Sequence, residues 1–374
     1  MRLQHVDMAR GICILLVALG HNQVLMPHDA AFNHWLGTFR MPLLFLIAGT
    51  FFQPQVPLGQ LVRLKADALL KPFLVMALLH APLRIAFWQV PPLEFGLGVL
   101  SGSGNYLPWL YALWFLPHLW LVFVLAWLMH HGQQRLKLEL PERLMVTASV
   151  LAIGFVTLPW FWMKPLDPLG VKFTLLGLPF SADLLPISTA FFLLGYMVRR
   201  AFHQMRFRWA TLVLALAVFS WTQALYHPSV DLFDRRYSHL FACTVAALSG
   251  TTVVLELAAW MTRFQTVARF IAHCGVNSLF ILMFHSPIQS TMMSVLDRSM
   301  GAGSVLAAGM AYIICVGSSL MLAKLIRRHW WLGLLFLPTS TVQAQREAAR
   351  RQPQPGDVLG HEPDVLHATV ARRA

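Results

Sequence analysis

MARGICILLVALGHNQVLM (Met8–Met26) decides the fold, because it reads as a helix buried in lipid that nevertheless carries Arg10 and His21. A bilayer core of about 30 Å takes about 20 apolar residues of helix. Arg10 and His21 are eleven positions apart. At about 100° per residue that is close to three full turns, so both side chains share one face. At about 1.5 Å per residue they stand roughly 16 Å apart along the axis, the guanidinium near one membrane surface and the imidazole near mid-depth. A charged and a titratable group inside a span are costly, and that cost points to a task. Two plainer readings also fit. Arg10 snorkels to headgroups while His21 is a satisfied core histidine. Alternatively, Ile12–Leu19 and Ala18-Leu19-Gly20 form a signal-peptidase site, although apolar sequence resumes at Val24.

The rest of the chain extends that first reading. Of 374 residues, 57% are hydrophobic and 12% charged, with a mean hydropathy of +0.59. Soluble domains carry about 25% charged residues, so this is a polytopic all-α membrane bundle. Ten spans are legible: Met8–Met26, Trp35–Phe52, Leu69–Val90, Tyr111–His130, Leu144–Met163, Leu184–Val198, Trp209–Tyr226, Leu240–Met261, Val276–Leu296 and Ser304–Ile326. An even number puts both termini on one side.

Loop charge chooses that side. One set of loops carries Arg63, Lys65, Lys71, Arg135, Lys137, Arg143, Arg199, Arg200, Arg206, Arg208, Arg263, Arg269, Lys324, Arg327 and Arg328. The other carries only Arg40, Lys164, Lys172, Arg235, Arg236 and Arg298. Positive residues concentrate inside, so both termini are expected in the cytoplasm of a multi-pass inner (plasma) membrane protein. The formal charge of +13 is therefore a topology signal, not a nucleic-acid surface.

Cys13, Cys243, Cys274 and Cys315 lie in or beside apolar segments without CxxC spacing, and read as buried thiols with no disulfide and no metal. Residues 1–335 form the membrane domain. Residues 336–374 read as a disordered cytoplasmic tail, rich in Gln, Arg, Pro and Ala from Thr339 onward. Trp35, Trp109, Tyr111, Trp330 and Trp331 stand at segment ends as interface anchors.

Histidine accepts protons near neutral pH, and His21 is followed by Asn22 and Gln23, so this part of the span is expected to line a cavity. Asp7, three residues before Arg10, is placed to pair with it at the cytoplasmic mouth. His80 and Arg84, one turn apart in the third span, fit either an acceptor site or an interface; His118 fits the cavity or a structural role.

HVDMARGICILLVALGH (His5–His21) resembles the opening of the acyltransferase-3 family, integral membrane enzymes that O-acylate surface polysaccharides and related molecules. The matching positions are Asp7, Arg10-Gly11 and His21. FRMPLLFLIAGTFF (Phe39–Phe52) is similar to the family's next segment, with Arg40 and Ala48 where a His and a Ser are usual. RLKADALLKPF (Arg63–Phe73), LWFLPHLWLVF (Leu113–Phe123), PISTAFFLLGYMVRR (Pro186–Arg200) and GVNSLFILMFHSPI (Gly275–Ile288) resemble later segments in order.

The resemblance implies transfer of an acyl group, usually acetyl, from cytoplasmic acyl-CoA to a carbohydrate hydroxyl on the outer side. It implies acetyl-CoA as co-substrate with no bound cofactor, and His21 and Arg10 as catalytic residues. Arg63, Lys65 and Lys71 would attract the donor's phosphates, or simply anchor the cytoplasmic face. Asp7, Asn22, Ser278 and His285 would stand around the cavity. A secondary transporter of a small polar solute is the competing function, since it too needs polar residues at mid-depth. A purely structural membrane subunit is the third. The oligomeric state is left open.

Overall fold

The computed structural model describes residues 4–107, 110–166 and 173–351; Trp109 and Lys172 lie outside them. The chain is a helical bundle. Its first helices are α1 (Gln4–Gly20), α2 (Ala31–Thr50), α3 (Leu58–Phe87) and α4 (Pro92–Ser101). Then come α5 (Phe115–Arg135), entered by the 3-10 turn Tyr111–Trp114, and α6 (Leu140–Thr157). The turn Pro179–Leu184 leads into α7 (Leu185–Met197), followed by α8 (Trp209–Tyr226), α9 (Leu240–Met261) and α10 (Gln265–Val276). α11 (Ser278–Met300), α12 (Val305–Arg328), α13 (Trp330–Phe336) and α14 (Thr339–Arg351) complete the chain. Two short antiparallel hairpins, β1 (Trp162–Leu166) with β2 (Phe173–Leu176) and β3 (Val230–Asp231) with β4 (Arg236–Tyr237), sit between helices.

Among the described residues, eight helices are long and apolar enough to cross a membrane. These correspond to the third through tenth of the spans read from the sequence. α1 has only 17 residues, and α2 carries Asn33, His34 and Arg40 in its first two-thirds. The two helices that fall short are the two that supply the polar wall described below. The third span starts at Leu58, earlier than its apolar run suggests, and contains π turns at Ala66–Leu70 and Leu83–Phe87.

Glycines let the central helices touch. A methyl on Gly11 or Gly275 would collide with the carbonyl oxygens of Ile271 or Asp7, so α1 and α10 meet backbone to backbone. Gly49 and Gly195 do the same for α2 and α7, against Phe192 and Leu46. Small residues at crossings are how helices pack where lipid removes the hydrophobic driving force. α1 is thus a packed member of the bundle.

Against the expectation of disorder from Thr339 onward, residues Thr339–Arg351 form a helix. Thr339 donates its backbone N–H (2.6 Å) and hydroxyl (2.9 Å) to the Asp67 carboxylate. α14 begins there, built from strong helix formers such as Ala, Gln and Arg, with Val342 buried. One carboxylate on α3 therefore starts a helix that has no apolar periodicity of its own. Residues 352–374 lie outside the described residues.

Candidate functional site

Beyond its last turn α1 delivers His21 to a cavity of about 650 Å³. Val17, His21, Arg40, Tyr111 and Trp114 form its deeper wall, and the loop Ser229–Asp234 around β3, with His28 and Arg236, forms its mouth. His21 is half-buried. Two rings fix its plane. Tyr111 meets it edge-on with centroids 4.7 Å apart, and His285 stacks on it at 5.2 Å and 25°. The Tyr111 hydroxyl hydrogen-bonds Ser286, the neighbour of His285 on α11.

His285 is fully buried. Its Nδ1–H donates to the carbonyl oxygens of Ile281 (2.8 Å) and Leu282 (3.0 Å). Carbonyls only accept, so the proton of the neutral ring is on Nδ1 and the lone pair is on Nε2. Among the described residues that Nε2 has no hydrogen-bond partner. Pro287, two residues on, lacks an N–H for the helix ladder. The result is an unspent ring nitrogen directly behind His21.

Arg40 links α1 to α2 within the cavity wall. Its Nη1 donates to the Leu16 carbonyl (3.2 Å) and its Nη2 to Asn33 Oδ1 (3.1 Å). The space is left by Gly20, where a side chain would strike the guanidinium. A cation near the carbonyl end of α1 is electrostatically favoured there. Arg40 thereby sets where α1 ends and where His21 stands.

The cavity mouth is held by a buried ion pair. Arg235 Nε meets Asp183 Oδ2 at 2.8 Å, with both side chains essentially inaccessible. Arg235 also donates to Ser181 Oγ and the Phe233 carbonyl and lies over Trp162, while Asp183 accepts from the Leu178 N–H. Every charge is matched, which is what burial demands. Arg235, read from the sequence as a loop charge, is this anchor. Asp234 lies beside Asp231 at the rim, and burial with that neighbour pushes its carboxyl above the ordinary value.

The remaining sequence candidates divide sharply. His21 and His285 come together, whereas Arg10 lies three turns from His21, its guanidinium 5.1 Å from the Phe51 ring centroid. Asp7 does not line the cavity; it is buried where α1 crosses α10. Asn22 is also withdrawn from it: Nδ2 donates to the Ala308 carbonyl (2.9 Å) and Oδ1 accepts from the Leu25 N–H. Ser278 starts α11, about two turns before His285, and is likewise outside the cavity. Of the polar step His21-Asn22-Gln23, His21 and Gln23 line the cavity, and Asn22 between them turns away from it.

Among the donor-binding candidates, Arg63 is exposed and Lys65 sits over the Phe123 ring at 3.9 Å. Lys71 is committed elsewhere. It donates to Asp67 (2.6 Å), the Leu337 carbonyl (2.6 Å) and Thr339 Oγ1 (3.4 Å), using all three of its protons to tie α3 to α14. Among the described residues no cluster of His, Cys, Asp or Glu is arranged to hold a metal.

Sequence reasoning missed Tyr111 as a site residue, treating it as an interface anchor. It also passed over Arg40, Asn33 and the Ser229–Asp234 wall. The run DLFDRR (Asp231–Arg236), dense in charge between two apolar spans, was the available signal for that wall.

A family model described as an acyltransferase domain matches residues 3–337. Comparison with curated proteins and with solved structures gave no match.

Proposed function

The chain belongs to the acyltransferase-3 family and is a membrane acyltransferase, and on that premise we propose that it moves an acetyl group from cytoplasmic acetyl-CoA to a carbohydrate hydroxyl on the outer side. The observation that carries this reading is the cavity wall at His21: a half-buried imidazole facing open space, held between Tyr111 and His285. The positive-inside bias orients Arg10, Arg63 and Lys65 toward the cytoplasm, both termini with them, and the cavity mouth outward.

An alcohol is too weak an acid to attack a thioester unaided. His21 takes the hydroxyl proton as the oxygen attacks the thioester carbonyl carbon. The C–S bond then breaks, and the imidazolium returns its proton to the departing CoA thiolate. His285 fixes the ring plane of His21, and its unpartnered Nε2 offers a second seat for the proton inside the protein. Arg10 and the exposed Arg63 draw the donor's phosphates to the opposite face, about 16 Å below His21. Lys71 drops out of that role.

The acceptor, a cell-surface or lipid-linked carbohydrate, enters past the Ser229–Asp234 loop. Aromatic Tyr111, Trp114 and Phe233 among polar groups suit a sugar, which presents apolar faces and hydroxyl edges. The test is transfer of label from radiolabelled acetyl-CoA to membrane glycan by the purified protein. His21→Ala should abolish nearly all of it while the variant still folds. Undiminished transfer by that variant would remove His21 from the mechanism.

A further inference from the structure

Next to the main cavity lies a second chamber of about 150 Å³, lined by His80, Arg84, Glu94, Phe95, Asn105 and their neighbours. Asn105 lines both spaces, so they share a wall. Its Nδ2 is buried without a hydrogen-bond partner among the described residues. Arg84 sits in the π turn Leu83–Phe87 at the end of α3, half-buried, with its guanidinium 5.3 Å from the Trp88 ring centroid. Among the described residues no carboxylate pairs with it and no oxygen accepts a hydrogen bond from it. Glu94 is exposed at the chamber's rim and forms no ion pair with it. His80 spends Nδ1 on the Met76 carbonyl (3.0 Å), which leaves Nε2 for the chamber.

The Arg84 guanidinium and the Asn105 amide thus line one space beside an imidazole, a space too small for a sugar chain. A half-buried guanidinium without a carboxylate partner, at the end of a span, is electrostatically favourable for an anion. Single-turn π bulges inside helices are frequent at functional sites. A planar fork of N–H donors is complementary to carboxylate or phosphate oxygens. We propose that this chamber is an acceptor subsite, taking an acidic group carried beside the sugar whose hydroxyl faces His21. The assignment rests on the transferase reading above and adds to it a substrate class: acceptors bearing a carboxylate or phosphate. The same oxygens are available from bilayer phosphodiesters, since Leu83, Phe87 and Trp88 are exposed around the chamber.

The test uses the full-length protein and two disaccharides identical except for one uronate carboxylate or one phosphate. In acetyl transfer the native protein should show a KM at least tenfold lower for the charged acceptor. Arg84→Gln should raise that KM to the neutral acceptor's value with kcat unchanged, and Arg84→Lys should keep most of the preference. Equal KM values in the native protein, or an intact preference in Arg84→Gln, would overturn the subsite. Thermal stabilisation of the detergent-purified protein by the charged disaccharide, without acetyl-CoA, provides a second readout. It should be present in the native protein and lost in Arg84→Gln. If no acceptor is acetylated, the transferase reading fails, while this stabilisation still reports on the chamber. An Arg84→Gln effect that appears only in phosphatidylglycerol vesicles, and not in non-ionic detergent, would assign the guanidinium to lipid and refute the proposal.

Discussion

His118 and His285 are both fully buried, yet they belong to regions of opposite character. His118, between α5 and the turn before α7, has both nitrogens occupied, by Ser188 Oγ at 2.8 Å and the Phe180 carbonyl at 3.2 Å. His285 has one nitrogen occupied and the other left open beside a cavity. Leaving a buried polar atom unpaired costs about 1–3 kcal/mol. His118 avoids that cost; His285 carries it next to His21, an imidazole that lines the cavity. Burial alone does not mark a working histidine. An unspent nitrogen within reach of substrate does.

The comparison can be broken most forcefully at His21. Replacing a general base costs about 10²- to 10⁴-fold, so His21→Ala should lower the transfer rate by about 10³-fold with an unchanged melting temperature. A comparable melting-temperature loss would make His21 structural, like His118. Next in size is Asp183→Ala, which leaves Arg235 buried and unpaired. It should destabilise by about 3–5 kcal/mol, read by thermal unfolding, and impair acceptor use through the loosened cavity mouth.

The paired test comes third. His118→Ala should cost about 2 kcal/mol of stability through its orphaned partners while the rate per folded molecule stays the same. His285→Ala should do the reverse, lowering the rate about 100-fold with little change in unfolding. Equal behaviour of the two variants would erase the distinction drawn above. Lys71→Ala sharpens it at the opposite end of the molecule: about 1 kcal/mol of stability lost, with the KM for acetyl-CoA unmoved. A large rise in that KM would return Lys71 to the donor site.

The smallest effect is expected at the cavity rim. Asp234 has its carboxyl raised above the ordinary value by burial and Asp231. A carboxyl raised in the folded state favours the protonated form there, so its ionisation costs stability as pH rises through that range. Asp234→Asn should therefore stabilise the protein slightly at neutral pH and not at all at low pH. Stabilisation confined to acid would reverse the sign.

Apolar length made the helical bundle and most of its spans legible, because hydrophobic thickness is a one-dimensional constraint that a sequence displays directly. What was hidden depends on partners far along the chain. Asn22 is spent on Ala308, 286 residues away, and Lys71 on Leu337, 266 residues away. Tyr111 reads as an interface anchor until α11 is packed against it. Thr339–Arg351 has no apolar period, and its start is set by Asp67. Eight of the ten segments read as spans are helices long and apolar enough to cross a membrane among the described residues; the polar content of α1 and α2, which looks like weakness by composition, lines the cavity.

The central claim is that one imidazole is reached by donor and acceptor from opposite sides of the bilayer. Proteoliposomes with the protein uniformly oriented, radiolabelled acetyl-CoA on the basic-loop side and carbohydrate acceptor only on the cavity side, test it directly. Label should appear on the acceptor across an intact membrane. Transfer that occurs only when both substrates are supplied on the same side would contradict the account.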